Sequence, residues 1–226
     1  MTYTHLLFDL DGTLFDFDAG ETYAFCKVCD YFHIPFSEET LALYQDINLS
    51  YWKAYERGEI TTAALSVARF RDFLAAVDRD GDASTMNRLY QEHLGEDCTP
   101  IPDALRVCHI LHEKGYSISI ITNGRSATQH SRLSRSELTP MISKLFISEE
   151  LGCQKPKKDF FDAVFKKLQI PISQALVIGD SLTSDISGGI QYGIDTCWFN
   201  SKGIINTMSQ APTYEIRQLN ELLSIL

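Results

Sequence analysis

HLLFDLDGT, residues 5–13, decides how the rest of the chain is read. Residues 5–9 are a short apolar run and predict a buried strand. Where that strand runs out stand two acids, Asp9 and Asp11, followed by Gly12 and Thr13. Carboxylates this close repel each other, so the pair needs a reason to be there. Gly12 permits a tight turn and a close approach of backbone.

Beyond this stretch the pattern changes. From about 17 to 95 the apolar residues recur at helical spacing, punctuated by Pro35, Gly58 and the DRDGD turn at 78–82. No strand-like run interrupts them, so an all-helical block is expected. Pro100 and Pro102 mark the return to a different order. A helix is predicted over 103–114, a strand over 116–122, a helix over 126–137, a strand over 145–148 and a helix over 159–168. A strand over 175–179, a helix near 184–192, a strand over 196–200 and a short C-terminal helix in NELLSIL follow. Strands alternating with helices imply a parallel sheet covered on both faces, and SIIT and LVIG are as apolar as such burial requires. The expected fold class is therefore α/β, a Rossmann-like doubly wound parallel sheet with a helical insert after its first strand.

Ligands of such sheets bind beyond the carboxyl ends of the strands. Those ends carry Asp9 and Asp11, then Thr122-Asn123-Gly124, then Lys155-Pro156, then Asp180 with Asp185 five residues on. Several carboxylates around one point call for a cation, and hard oxygen ligands suit Mg²⁺. A carboxylate facing an electrophilic phosphorus can act as nucleophile, and a second can move the proton. A lysine and a threonine hydroxyl can hold the equatorial phosphoryl oxygens.

D-x-D-G-T, T-N-G, Lys-Pro and G-D-x-x-x-x-D, in this order at these strand ends, resemble the four motifs of the haloacid-dehalogenase (HAD) superfamily. The resemblance implies Asp9 as nucleophile and Asp11 as general acid and base. It implies Mg²⁺ held by the Asp9 side chain, the Asp11 main-chain carbonyl and Asp180, with Asp185 in support. Thr122 and Lys155, with Asn123 as a further candidate, would grip the phosphoryl group. Haloacid dehalogenases themselves lack an acid at the second position of the first motif, so Asp11 points to phosphoryl transfer. The insertion point resembles that of a C1-type cap: residues 1–15 and 98–226 as core, 16–97 as helical cap. Sugar-phosphate mutases of that kind place a His in the first cap helix, and residues 17–32 contain none.

QKPKKDFFDAVFKKL from Gln154, GDSLTSDI from Gly179, TNGRSATQHSRL from Thr122 and the YWKAYERGEIT stretch with Arg69-Phe70 are similar to the YjjG/YfnB-type pyrimidine 5′-nucleotidase branch. Glu137 departs from that pattern, standing where a helix-ending Gly is expected. The resemblance implies hydrolysis of nucleoside 5′-monophosphates, pyrimidine and deoxy forms favoured, through an aspartyl-phosphate. The alternative is a phosphatase of sugar or N-acylneuraminate phosphates. A non-enzymatic receiver-like phosphoacceptor is the third reading, and Asp11 and the helical insert argue against it. In the insert, Trp52, Tyr55, Lys53, Arg57 and Arg69 are aromatic and basic. At helical spacing Tyr51, Trp52 and Tyr55 read as helix-packing residues, and none is placed in the site.

The chain of 226 residues carries a formal net charge of −10, a poor match to nucleic-acid polymers or anionic membranes. No apolar run is long enough to span a membrane. The N-terminus lacks a basic n-region and acids interrupt its apolar run, so no signal peptide is expected and a cytoplasmic location is. The expected partner is a small phosphate monoester; oligomeric state is not legible. Cys26 and Cys29 are spaced C-x-x-C without a second pair, and read as small residues on a helix face. His109 and His112 likewise read as helix-face residues without a third ligand.

Overall fold

The computed structural model describes residues 3–226. Strand β1 (His5–Phe8) is followed by four helices, α1 (Phe17–Tyr31), α2 (Glu38–Glu56), α3 (Thr62–Ala76) and α4 (Ala83–Leu94). Then come α5 (Ala104–Glu113), β2 (Ser117–Thr122), α6 (Ser126–Arg135), β3 (Ile142–Ile147), α7 (Ser148–Leu151) and α8 (Lys158–Leu168). The chain closes with β4 (Ala175–Gly179), α9 (Ser187–Tyr192), β5 (Asp195–Phe199), β6 (Tyr214–Ile216) and α10 (Leu222–Ile225).

The six strands form one sheet in the order β3-β2-β1-β4-β5-β6, every pair parallel. From β1 the chain winds outward through β2 to β3, then returns to lay β4 on the other side of β1. The strand order thus reverses between β1 and β4, where the crevice of a doubly wound sheet opens. Period-two alternation supplies both faces. Leu6, Phe8, Ile118, Ile120, Leu176 and Ile178 pack with Val107 and Leu111 of α5 on one side. Leu7, Ile121, Ala175 and Val177 pack with Phe160, Phe161 and Val164 of α8 on the other.

The four helices of the block bury a separate core of their own, including Phe25, Tyr44, Phe70, Phe73 and Tyr90. Their starts are fixed locally: Asp16, Ser37, Thr61 and Asp82 each accept a hydrogen bond from a first-turn amide. Tyr44 stacks between Phe25 and Phe70, at ring-centroid distances of 4.3 and 5.2 Å. Phe70→Ala would open a cavity there. It is expected to cost about 3–5 kcal/mol and to lower the melting transition by roughly 10 °C in calorimetry. The two chain crossings into and out of the block run side by side: Asp16 N donates to Thr99 O and Ile101 N to Leu14 O, both at 2.9 Å.

The structure differs from the sequence expectation at β3, at β6 and in the turn after β4. β3 begins at Ile142, ahead of the expected 145, because its first half is a half-exposed edge with polar side chains. β6 was not anticipated; it has three residues and only Ile216 is buried. The helix expected from 184 instead opens with a wide π-type turn over Leu182–Ile186, in which the amides of Asp185 and Ile186 both reach Ser181 O. All six cysteines are free, with Cys29 buried in the block. Burial pushes its thiol up to about 12, as it does for Cys108 and Cys197. His109 is exposed and pairs with Glu113 at 3.3 Å. Among the described residues no helix is long and apolar enough to cross a membrane.

Candidate active site

Asp9 continues the line of β1: its amide donates to Ile178 O at 2.8 Å, so the β1–β4 ladder fixes its backbone. Its side chain is buried, and Oδ1 accepts from Lys155 Nζ at 2.6 Å. Lys155 is itself buried, with its other two donors on Ile121 O at 2.7 Å and Asp185 Oδ1 at 2.6 Å. All three ammonium protons are therefore accounted for. Asn123 braces this lysine: its Oδ1 accepts from Lys155 N and its Nδ2 donates to Lys155 O, both at 3.0 Å. In this arrangement the carboxamide placed with the phosphoryl group by the sequence is engaged with the Lys155 main chain.

Asp180 follows Gly179 across the crevice from Asp9, with its main-chain oxygen accepting from Trp198 Nε1 at 2.8 Å. Gly12 has φ +80°, and a Cβ there would come within 2.6 Å of Asp180 Oδ2. Only glycine lets the turn after Asp11 pass so close to that carboxylate. The π-type turn swings Asp185 back under the sheet end, buried, where Oδ2 accepts from Ser181 N at 3.2 Å. One carboxylate oxygen each from Asp9, Asp180 and Asp185 lies within 4.8 Å of the others.

The electrostatics of this cluster are unbalanced. Burial holds the Asp9 carboxyl well above the ordinary range; Lys155 opposes the shift, and Asp185, Asp180 and Asp11 add to it. Burial, then Asp185, pushes Asp180 up to about 7. Burial works against the Lys155 charge, but Asp185 and Asp9 outweigh it and hold the ammonium above the usual lysine range. One ammonium facing three converging carboxylates leaves a deficit of positive charge. An all-oxygen donor set with that deficit fits a hard divalent cation such as Mg²⁺.

Thr122 ends β2 with a buried hydroxyl that accepts from Gly124 N at 3.0 Å and Gln129 Nε2 at 3.2 Å. Its own proton is then free to donate into the crevice. Asp11 has one carboxylate oxygen on Gln129 Nε2 at 2.6 Å and the other on Arg132 Nη1. The crevice opens into a cavity of about 750 Å³, a size that suits a small ligand.

Some lining residues were not foreseen. Trp52, read from sequence as a packing residue, lines this cavity together with Glu56 one turn on; Tyr55 turns inward instead, toward Ser148. Glu56 accepts from Thr183 Oγ1 at 2.7 Å, which ties the end of α2 to the sheet. Trp198 of β5 and Lys202 beyond it line the same cavity. Gln129 and Arg132 belong to the TNGRSATQHSRL stretch that carries the family resemblance, but the sequence assigns them no role; their spacing of three puts them on one helix face.

The doubly wound parallel sheet carries this acid–lysine cluster at its switch point, the place and donor set that phosphoryl chemistry requires. The chain belongs to the haloacid dehalogenase-like hydrolase family, whose model matches residues 3–193. It is 38% identical to the putative HAD-hydrolase YfnB of Bacillus subtilis over 99% of this chain and 95% of that one. The solved structure of that protein, bound to magnesium and revealing interdomain movement, superimposes with a TM-score of 0.94 over 100% of this chain and 99% of the other. The pyrimidine 5′-nucleotidase PynA of Streptococcus pneumoniae is 34% identical over 100% of this chain and 96% of its own. The pyrimidine 5′-nucleotidase YjjG of Escherichia coli is 35% identical over 100% and 99%.

Proposed function

We propose that this hydrolase is a Mg²⁺-dependent phosphomonoesterase of nucleoside 5′-monophosphates, favouring pyrimidines and working through a phosphorylated Asp9. The observation that carries the chemistry is the buried Asp9–Lys155 pair at the switch point, two residues from a second acid and open to the cavity. The substrate class rests on the full-length similarity to two pyrimidine 5′-nucleotidases.

In this reading Asp9 Oδ attacks phosphorus as the bond to the 5′ oxygen breaks, and the Asp11 carboxyl gives its proton to that oxygen. Water then attacks the phospho-Asp9, the Asp9–phosphorus bond breaks, and Asp11 takes the proton back. Thr122 donates to one phosphoryl oxygen; Lys155 donates to another with the proton that it turns from Asp9 Oδ1 as that carboxylate bonds phosphorus, and Asn123 keeps Lys155 in register. Mg²⁺, held by the Asp9 side chain, the Asp11 main-chain carbonyl and Asp180 with Asp185 behind them, would supply the positive charge that the cluster lacks. Residues 16–97 act as a cap that shields the site from water and presents Trp52 to the base. The interdomain movement of the YfnB structure supports a mobile cap.

Phosphate release over a panel of pyrimidine and purine 5′-monophosphates, sugar phosphates and N-acylneuraminate 9-phosphate tests the substrate class. Pyrimidine nucleotides are expected to lead, a margin of about tenfold being within reach of pocket contacts. EDTA should abolish release and added Mg²⁺ restore it. A sugar phosphate at the head of the panel would overturn the nucleotide assignment.

A further inference from the structure

Arg132 is one of the largest fully buried side chains in the molecule. Its Nη1 donates to Asp11 Oδ1, its Nε to the main-chain oxygen of Asp97 at 2.8 Å, and its guanidinium stands 4.7 Å over the Phe15 ring. These three contacts have a pattern. Asp11 is the proposed acid, Phe15 lies on the outgoing crossing to the helical block, and Asp97 lies on the returning one.

The grip is also incomplete. Arg132 Nη2 and Asp97 Oδ2 are both buried without a hydrogen-bond partner, and they lie 3.9 Å apart. Buried polar atoms are nearly always paired, and a buried guanidinium left part-satisfied is costly. A displacement of about 1 Å would bring this pair to ordinary bonding distance. A small rotation of the block about its paired crossings, in the sense that carries Asp97 toward α6, would supply such a shift. Gln129, one turn earlier on α6, completes the hold: its Nε2 bonds both Asp11 Oδ2 and the Thr122 hydroxyl.

We infer that Arg132, assisted by Gln129, is the positioning residue for Asp11: it holds the ionised carboxylate against α6 and, as Asp97 and Phe15 engage the guanidinium, releases it to take up from solvent the proton that it gives to the leaving oxygen. The inference rests on Asp11 being the general acid. Arg132 is not among the residues that line the cavity and acts on the reaction through Asp11.

The test compares two leaving groups in single turnover with enzyme in excess. Uridine leaves uridine 5′-monophosphate only with a proton; p-nitrophenolate leaves p-nitrophenyl phosphate without one. Arg132→Lys should slow uridine release about tenfold or more, within the span that a positioned acid contributes, and leave p-nitrophenolate release within about twofold. Asp97→Asn should show the same selective loss. In an Asp11→Ala background, Arg132→Lys should cost less than about twofold further, since residues acting as a unit are not additive. Asp97→Asn, which leaves the guanidinium in place, carries the comparison alone if the arginine variant fails to fold. Equal losses with both leaving groups, or unchanged uridine release, overturn the inference. Asp11→Ala with uridine release intact would instead overturn the assignment of Asp11, and this inference with it.

Discussion

Asp9→Asn is expected to abolish turnover while leaving the fold intact. The amide keeps the shape of the carboxylate and can still accept from Lys155, which retains Asp185 and Ile121 O as partners. What it lacks is the anionic oxygen that attacks phosphorus. A loss of about 10⁴-fold or more in kcat is the scale at which removal of a nucleophile registers. The companion measurement is rapid quench with labelled substrate: the wild-type chain should yield an acid-stable, hydroxylamine-sensitive phosphoprotein, and the variant none. Turnover retained in Asp9→Asn would refute the covalent route, whatever the substrate.

Lys155→Met should fail in a different way. The methionine fills similar volume but removes the one ammonium among Asp9, Asp180 and Asp185. Breaking a buried ionic arrangement by deleting one partner costs about 3–5 kcal/mol, because the charges left behind are uncompensated. In a chain of this length that corresponds to a fall of roughly 10 °C in melting temperature, best measured in EDTA. Activity should fall about 10²–10³-fold through loss of a phosphoryl-oxygen donor. A variant that melts like the wild type would show that the carboxylates are not held together by this lysine.

The sheet and its site were largely legible because both depend on short-range signals. β1, β2 and β4 are apolar runs, and the motif residues sit at their ends, where the backbone path alone puts them together. Glycine at 12 and the Thr122-Asn123-Gly124 turn could be read the same way. What escaped depends on contacts between distant parts of the chain. Nothing local says that Arg132 meets Asp11, 121 positions away, or that Asn123 would brace the Lys155 main chain, 32 positions on. Trp52 and Tyr55 share a helix face, and only the seating of α2 against α7 decides that Tyr55 is buried and Trp52 faces the cavity. β6 was hidden for a simpler reason: three residues with one buried side chain carry no periodicity.

The chain has only two tryptophans, Trp52 and Trp198, and both line the same cavity, one from α2 and the other from β5. One rides on the helical block; the other, through its indole N–H, is bonded to the main chain of Asp180. The protein therefore carries its own optical probe. Its tryptophan emission arises wholly at the site, without background from the rest of the fold. Replacing either indole by phenylalanine leaves a single emitter, on the block side with Trp52 or on the sheet side with Trp198, so that filling of the pocket and filling of the acidic cluster can be followed separately in the unlabelled protein.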